Sequence, residues 1–279
     1  PAGAAVGAHG REAAMSVAPA RSARGTVAGA GELWGPRSER RSALGVLATP
    51  AVMVLACAAL ALYLAAQDLD EMERRALDPQ FIVQRVLEHI QLVAVSTALV
   101  IMIAVPLGIL LTRPRLRGLA PPLLAAANIG QAVPSIGVLV LLAVTVGVGF
   151  QKAVIALVLV SALPVLRNTL IGLRSVDPAL IDAGRGIGMT RTAVLFRVEL
   201  PLAVPVILAS VRIAVILNVG SATLAAFTNA GGLGDLINIG IALNRTPVLL
   251  AGSVLTAVLA LGSDWLIGLA ERHLHPRGI

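Results

Sequence analysis

Long apolar runs separated by short polar stretches dominate the chain beyond residue 43. They cover 44–66, 88–112, a stretch within 119–148, 153–173, 201–224 and 248–270. Each is close to or above the roughly 20 residues that an α-helix needs to cross a hydrocarbon layer. Polar and apolar positions do not alternate over repeated strand-length segments, which argues against a membrane β-barrel. The pattern predicts an all-α integral membrane protein with about six transmembrane helices.

The polar stretches organise these runs. Residues 1–43 are rich in Ala, Gly, Arg, Ser and Pro and read as a disordered basic tail, with Met15 a candidate start. The run 44–66 follows Arg37, Arg40 and Arg41, is long for a signal peptide and lacks a clear small-x-small site after it. It is expected to be an extra N-terminal transmembrane helix of the uncleaved signal-anchor kind. Residues 67–87 carry Asp68, Asp70, Glu71, Glu73 and Asp78 and read as an outside loop or a short surface helix. Residues 88–270 form one transmembrane domain, in which Pro134 interrupts the third run and 225–246 is a glycine-bearing connection with some helical pattern. Residues 271–279 are a basic tail. Arginines gather at the N-terminus, at Arg113, Arg115 and Arg117, in the loop 177–201, and at Arg272 and Arg277. Six spans put all four groups on one side, which the positive-inside rule makes the cytoplasm, giving an N-in/C-in topology with a cytoplasmic long loop. Five or seven spans would break that agreement.

Composition narrows the function. The chain is 57% hydrophobic and 13% charged, with mean hydropathy +0.88; a soluble domain carries roughly a quarter charged residues. The net charge of +7 comes from dispersed arginines, and only 3% of residues are aromatic, which fits membrane-flanking loops and not nucleic-acid binding. Cys57 stands alone, so no intrachain disulfide forms. His9, His89, His273 and His275 do not make a metal constellation. There is no GxxxxGK[ST], and Lys152 is the single lysine, so the chain is expected to carry no phosphate loop and to bind no nucleotide cofactor. Gly231-Gly232-Leu233-Gly234 lacks a βαβ context and reads as a turn on the outer side. No nucleophile–base or carboxylate pair stands out, so the chain is expected not to be an enzyme.

The longest polar interruption of the apolar second half is DPALIDAGRGIGMTRTAVLFRVELP, from Asp177 to Pro201. Asp177 is a helix N-cap with Pro178 in the first turn, predicting a helix over 179–185 that ends near Gly186 and Gly188. Thr190 caps a second short helix over 191–198, and Pro201 opens the next span. Loops of this length between spans are uncommon and tend to be functional, so a partner outside the membrane is expected to read it.

Asp182-Ala183-Gly184, three residues, Gly188, nine residues, then Val198-Glu199-Leu200-Pro201 resembles the EAA loop of ABC-importer permeases. Asp182, Gly184 and Val198 depart conservatively from the Glu, Ala and Ile of that pattern. The resemblance implies an ATPase-coupling loop made of Asp182, Ala183, Gly184, Arg185, Gly186, Gly188, Met189, Thr190, Arg191 and Pro201. In that family a short helix here docks on an ATPase subunit. The segments ANIGQAVPSIGVL, ALPVLRNTLIGL, RSVDPALIDAGRGIGMT, VELPLAVPVILASVRIA and SATLAAFTNAGGLGDLI resemble the osmoprotectant branch, which imports glycine betaine, choline, carnitine and related quaternary amines. The implied partners are ABC ATPase subunits that carry the ATP, an extracytoplasmic substrate-binding protein, a second permease copy or a paralogue, and the lipid bilayer. Methionine permeases share the architecture, so the solute stays open.

Polar groups inside spans are costly and line paths or join helices. Asn128, Gln131, Pro134, Ser135, Asn168, Arg212 and Asn218 are the candidates for a translocation path. Arg212 is the costliest and is expected to face the bundle interior, a carbonyl or an acid such as Asp264. Ser210, Ser221 and Thr223 read as bonding their own helix carbonyls. Aromatic rings are too few for a cage around a quaternary amine, so specificity is expected to lie mainly on the separate binding protein. An ion-driven carrier and a membrane scaffold are the other function classes; the chain shows neither an internal repeat nor an acid near the middle of a span, which weighs against the carrier.

Overall fold

The computed structural model describes residues 38–274, with side chains over 47–271. The expected tail up to residue 37, Met15, His9, His275 and Arg277 lie outside the described residues, as do the side chains of Arg272 and His273. The chain divides into Pro1–Ala43 and Leu44–Ile279, and the packing below is that of the second unit.

All regular structure among the described residues is helical: α1 Ser38–Ala65, α2 Glu71–Ala76, α3 Pro79–Thr112, α4 Ala120–Gln131, α5 Ser135–Thr145, α6 Phe150–Arg174, α7 Pro178–Gly186, α8 Arg191–Val194, α9 Leu200–Ala222, α10 Gly234–Ala242 and α11 Thr246–Leu274. Five stretches are long and apolar enough to cross a membrane: 47–65, 79–112, 150–174, 191–228 and 246–271. The helices Arg117–Gln131 and Ser135–Thr145 meet at 90°, and they make a sixth only if the bent pair is one span. The bend falls at Pro134, whose ring removes a backbone donor and cannot continue a helix across it.

Two spans start earlier than their apolar runs. Helix α3 begins at Pro79 and not near residue 88, because Asp78 accepts from the Gln80 and Phe81 N–H groups and Pro79 sits in the first turn. Its 34 residues reach about 51 Å, against roughly 30 Å of hydrocarbon. The excess is long enough for its first turns, carrying Gln80, Gln84, Arg85 and Glu88, to stand beyond the apolar layer. Likewise Pro201 does not open the fifth span. Helix runs without a break from Arg191 through a π-helical turn, Leu195–Glu199, into α9. Pro201 has no N–H for the Arg197 carbonyl, and a π turn, in which Leu200 N–H reaches back to Leu195 O, accommodates the ring without ending the helix.

Helices α3, α6 and α9 form the centre, with α11 on α9 and α10 on α11. They approach closely through small residues, the packing expected where lipid gives no hydrophobic drive between helices. A Cβ on Gly108 of α3 would lie 2.7 Å from Thr169 of α6, and one on Gly172 of α6 would lie 3.1 Å from Val206 of α9. Buried Ser96, Ser161, Thr169 and Ser210 donate to carbonyls of their own helices at 2.6–2.7 Å, and Thr223 does the same at 2.7 Å. Over 47–65, by contrast, α1 buries nothing; Leu47, Leu55 and Leu62 are 70–73% exposed. Such a helix, apolar on every side, belongs in lipid or against another protein.

Candidate functional site

The loop after α6 is two short helices folded against each other. Ser175 closes α6, and Asp177 accepts from Ala179 N–H at 2.8 Å to start α7 with Pro178 in its first turn. Ile187 N–H and Met189 N–H return to Ala183 O and Gly184 O, and Gly188 N–H bonds to Arg185 O at 2.9 Å. Gly188 takes φ +89°, a conformation that side chains rarely adopt. Thr190 then caps α8 through the Ala193 N–H. Gly184 is buried between α7 and α8, where a Cβ would touch Val194 at 3.4 Å and Met189 at 3.5 Å. The opposite face is open: Asp182, Ala183, Arg185, Gly186, Gly188 and Arg191 are exposed and Met189 half-buried. Ile187, at 77% exposure, and Phe196, at 63%, add apolar surface to it. Asp182 and Arg185 lie 3.9 Å apart on this solvated face, a contact of little energetic weight.

The seven positions predicted for a path separate into three groups. Asn128 and Gln131 of α4 share a cleft of ≈ 350 Å³ with Leu163, Pro164, Arg167, Asn168 and Ile171 of α6. Gln131 Nε2 donates to the Val160 carbonyl at 3.4 Å. That carbonyl is the one Pro164, four residues on in α6, leaves without its helical donor, so Gln131 ties α4 to α6 at the proline. Pro134 and Ser135 sit at the 90° bend and not in this cleft. Arg212 and Asn218 lie elsewhere and join helices. Arg212 makes two parallel bonds to Asp264 of α11, at 2.5 and 2.6 Å, with Glu271 at 3.6 Å. Asn218, fully buried, donates to Thr97 Oγ1 of α3 at 3.0 Å. Arg167, an exposed cation inside an apolar helix beside Asn168, also belongs to this cleft; its charge within that run is the sequence signal for it.

Near the start of α3 a second charged cluster had no sequence signature. Arg85 bridges Glu88 at 2.7 Å and Asp235 of α10 at 2.8 Å, with its guanidinium 4.6 Å over the Phe81 ring. Glu88 also accepts from Gly232 N–H at 3.0 Å. His89 is fully buried, its Nε2 donating to Val219 O at 3.1 Å and its Nδ1 accepting from Leu233 N–H at 3.3 Å, which holds one neutral tautomer. Burial pushes the Asp235 carboxyl above its usual range; Arg85 pulls it back and Glu88 adds to the rise. The glycines of 231–234 pack this segment against α3 and the turn Thr223–Thr228 that follows α9. A Cβ on Gly231 would sit 2.4 Å from Glu88, and one on Gly234 would sit 1.9 Å from Thr223 O. They serve close approach and a turn.

Residues 104–276 match the family described as binding-protein-dependent transport system inner membrane component. The chain belongs to that family. Over 220 residues the permease is 41% identical to the osmoprotectant import permease protein OsmY of Salmonella typhimurium, covering 79% of this chain and 92% of that protein. It is 42% identical over 192 residues to the choline transport system permease protein OpuBB of Bacillus subtilis, covering 69% and 88%. Among solved structures, a chain of the MetNI methionine ABC transporter in an inward-facing conformation superposes with TM-score 0.62 at 27% identity, covering 71% of this chain and 98% of that one. The fold is that of an ABC-importer permease, and the permease is a multi-pass component of the bacterial cytoplasmic membrane.

Proposed function

We propose that this permease forms the membrane path of an ATP-driven importer of small osmoprotectants, glycine betaine or other quaternary amines, and works by alternating access. The observation that carries the solute class is the 41–42% identity to osmoprotectant and choline permeases over most of their length. The methionine transporter chain stands lower, at 27%.

Separate ATPase subunits bind ATP and dock on the exposed face of the 177–201 loop. Its open surface of Asp182, Arg185 and Ile187 supports that role, as does its unbroken helical link to α9. The bent pair α4–α5 counts as one span, which makes six, and both ends of the chain are then cytoplasmic. A second permease copy or a paralogue completes the path, with the cleft of Asn128, Gln131, Arg167 and Asn168 turned toward it. A binding protein delivers the solute at the outer face. The chain itself holds no cofactor.

The test is to tag the chain, purify it from native membranes in mild detergent and identify what accompanies it. Uptake of labelled glycine betaine is then compared with that of methionine under high salt. An ATPase in the complex and betaine uptake that stops on ATP depletion are expected. Uptake that survives ATP depletion with the ion gradient intact, or methionine uptake alone, overturns the proposal.

A further inference from the structure

Arg113 follows α3 directly, and Glu199 ends the π turn between the loop and α9. They are 86 residues apart in sequence and form a bidentate pair: Nη1 donates to Oε1 at 3.3 Å and Nη2 to Oε2. The guanidinium is also held on its own helix, its Nε facing Thr112 Oγ1 at 3.1 Å and the Ile109 carbonyl at 3.4 Å. Glu199 is 6% exposed. A carboxylate so enclosed depends on its partner, since losing one member of such a pair strands the other charge. Among the described residues this is the only ion pair between α3 and the loop-bearing helix. An apolar cluster of Leu173 of α6 with Ala203 and Ile207 of α9 takes Val105 and Ile109 of α3 and Leu195 and Leu200 against it, so the contact is backed by packing.

Besides following α6 directly in the chain, the loop is thus connected to α9 and to α3 by different means. It continues into α9 through backbone, with no flexible joint from Arg191 onward. It reaches α3 through Arg113–Glu199. We infer that this pair is a strut that carries displacement of the 177–201 loop into α3, so that a stroke delivered to the loop moves α3 and α9 together. The inference rests on the coupling role proposed for the loop. Arg113 and Glu199 are positioning residues: they touch neither solute nor nucleotide, and they fix how far α3 follows.

The experiment uses the whole complex, co-purified with its ATPase, reconstituted in liposomes with its binding protein, and read as solute taken up per ATP hydrolysed. Glu199→Gln keeps the side-chain shape and removes the charge. It is expected to leave ATPase co-purification and hydrolysis in place while uptake per ATP falls by about tenfold or more. The charge swap Arg113→Glu with Glu199→Arg is expected to recover part of that ratio, because the pairing and not either charge alone carries the displacement. An unchanged ratio in Glu199→Gln, or a swap no better than either single change, overturns the strut. Should Glu199→Gln fail to accumulate, Arg113→Lys replaces it, keeping the charge and losing the second parallel bond; the same fall supports the strut and an unchanged ratio overturns it. A wild-type chain that brings down no ATPase overturns the coupling role itself, and that outcome is visible before any variant is made.

Discussion

Substitution of Gly188 separates backbone conformation from docking surface. Its φ of +89° disfavours any side chain, yet a Cβ there meets nothing within 4 Å. Gly188→Ala therefore carries a conformational cost and no collision, about 1–2 kcal/mol. That is a factor of about 5–30 in the population of the native turn. The hairpin itself survives, because Val194, 1% exposed, stays packed under Gly184. Uptake by the alanine variant is expected to fall by up to about that factor. Gly188→Trp has the same backbone cost and adds a ring of about 150–250 Å² beside exposed Ile187, on the face proposed to meet the ATPase; uptake and ATPase co-purification are expected to be lost. Gly186→Ala is the control. Gly186 ends α7 without a positive φ and with open space at Cβ, so a smaller loss than in Gly188→Ala is expected. The assay is labelled glycine betaine uptake in cells lacking their own osmoprotectant import, normalised to membrane abundance by immunoblot. Wild-type uptake by Gly188→Trp at equal abundance would refute the docking assignment, and a larger loss in Gly186→Ala than in Gly188→Ala would refute the conformational account.

Three other substitutions test the packing. Gly234→Ala puts a Cβ 1.9 Å from the Thr223 carbonyl, a backbone atom that cannot swing away, so a loss of about 1–3 kcal/mol or more and a lowered Tm in detergent are expected; an unchanged Tm would contradict the close approach. Gln131→Leu leaves the Val160 carbonyl without its donor; because that bond is long and faces an open cleft, a loss of about 0.5–1 kcal/mol with most uptake retained is expected. Abolished uptake at an unchanged Tm would make Gln131 a path residue instead. Asp264→Asn leaves Arg212 with Glu271 alone at 3.6 Å, and a cost on the order of 1 kcal/mol is expected, read as Tm and partly recovered by exchanging the two residues; equal Tm values for wild type and Asp264→Asn would show the pair to be neutral.

The loop was largely legible in advance. Asp177-Pro178, Gly188 and Thr190 are local capping signals, and each acts where its chemistry predicts. Its continuation into α9 was not legible, since Pro201 reads as a helix start unless a π turn is known to precede it. The polar path candidates divided for a similar reason. Asn128, Gln131 and Asn168 could be named as costly groups inside spans, but which of the seven share a cleft depends on how α4 lies on α6.

Length and continuity of apolar runs are properties of the chain alone, because each span must satisfy its backbone hydrogen bonds internally and exceed the hydrocarbon thickness. They were enough to determine the membrane class, the all-helical fold and that the long loop separates two spans. The pairs Arg113–Glu199, His89–Val219 and Gln131–Val160 were decided by tertiary structure; Arg212–Asp264 alone could be expected from the cost of a lone charge inside a span. In water, an apolar stripe marks the face a helix buries. Helices such as α1 and α9 are apolar on nearly every side, so no stripe tells lipid from neighbour. Which residues meet is then set by small-residue contacts such as Gly108 on Thr169, and these exist only once the bundle has formed.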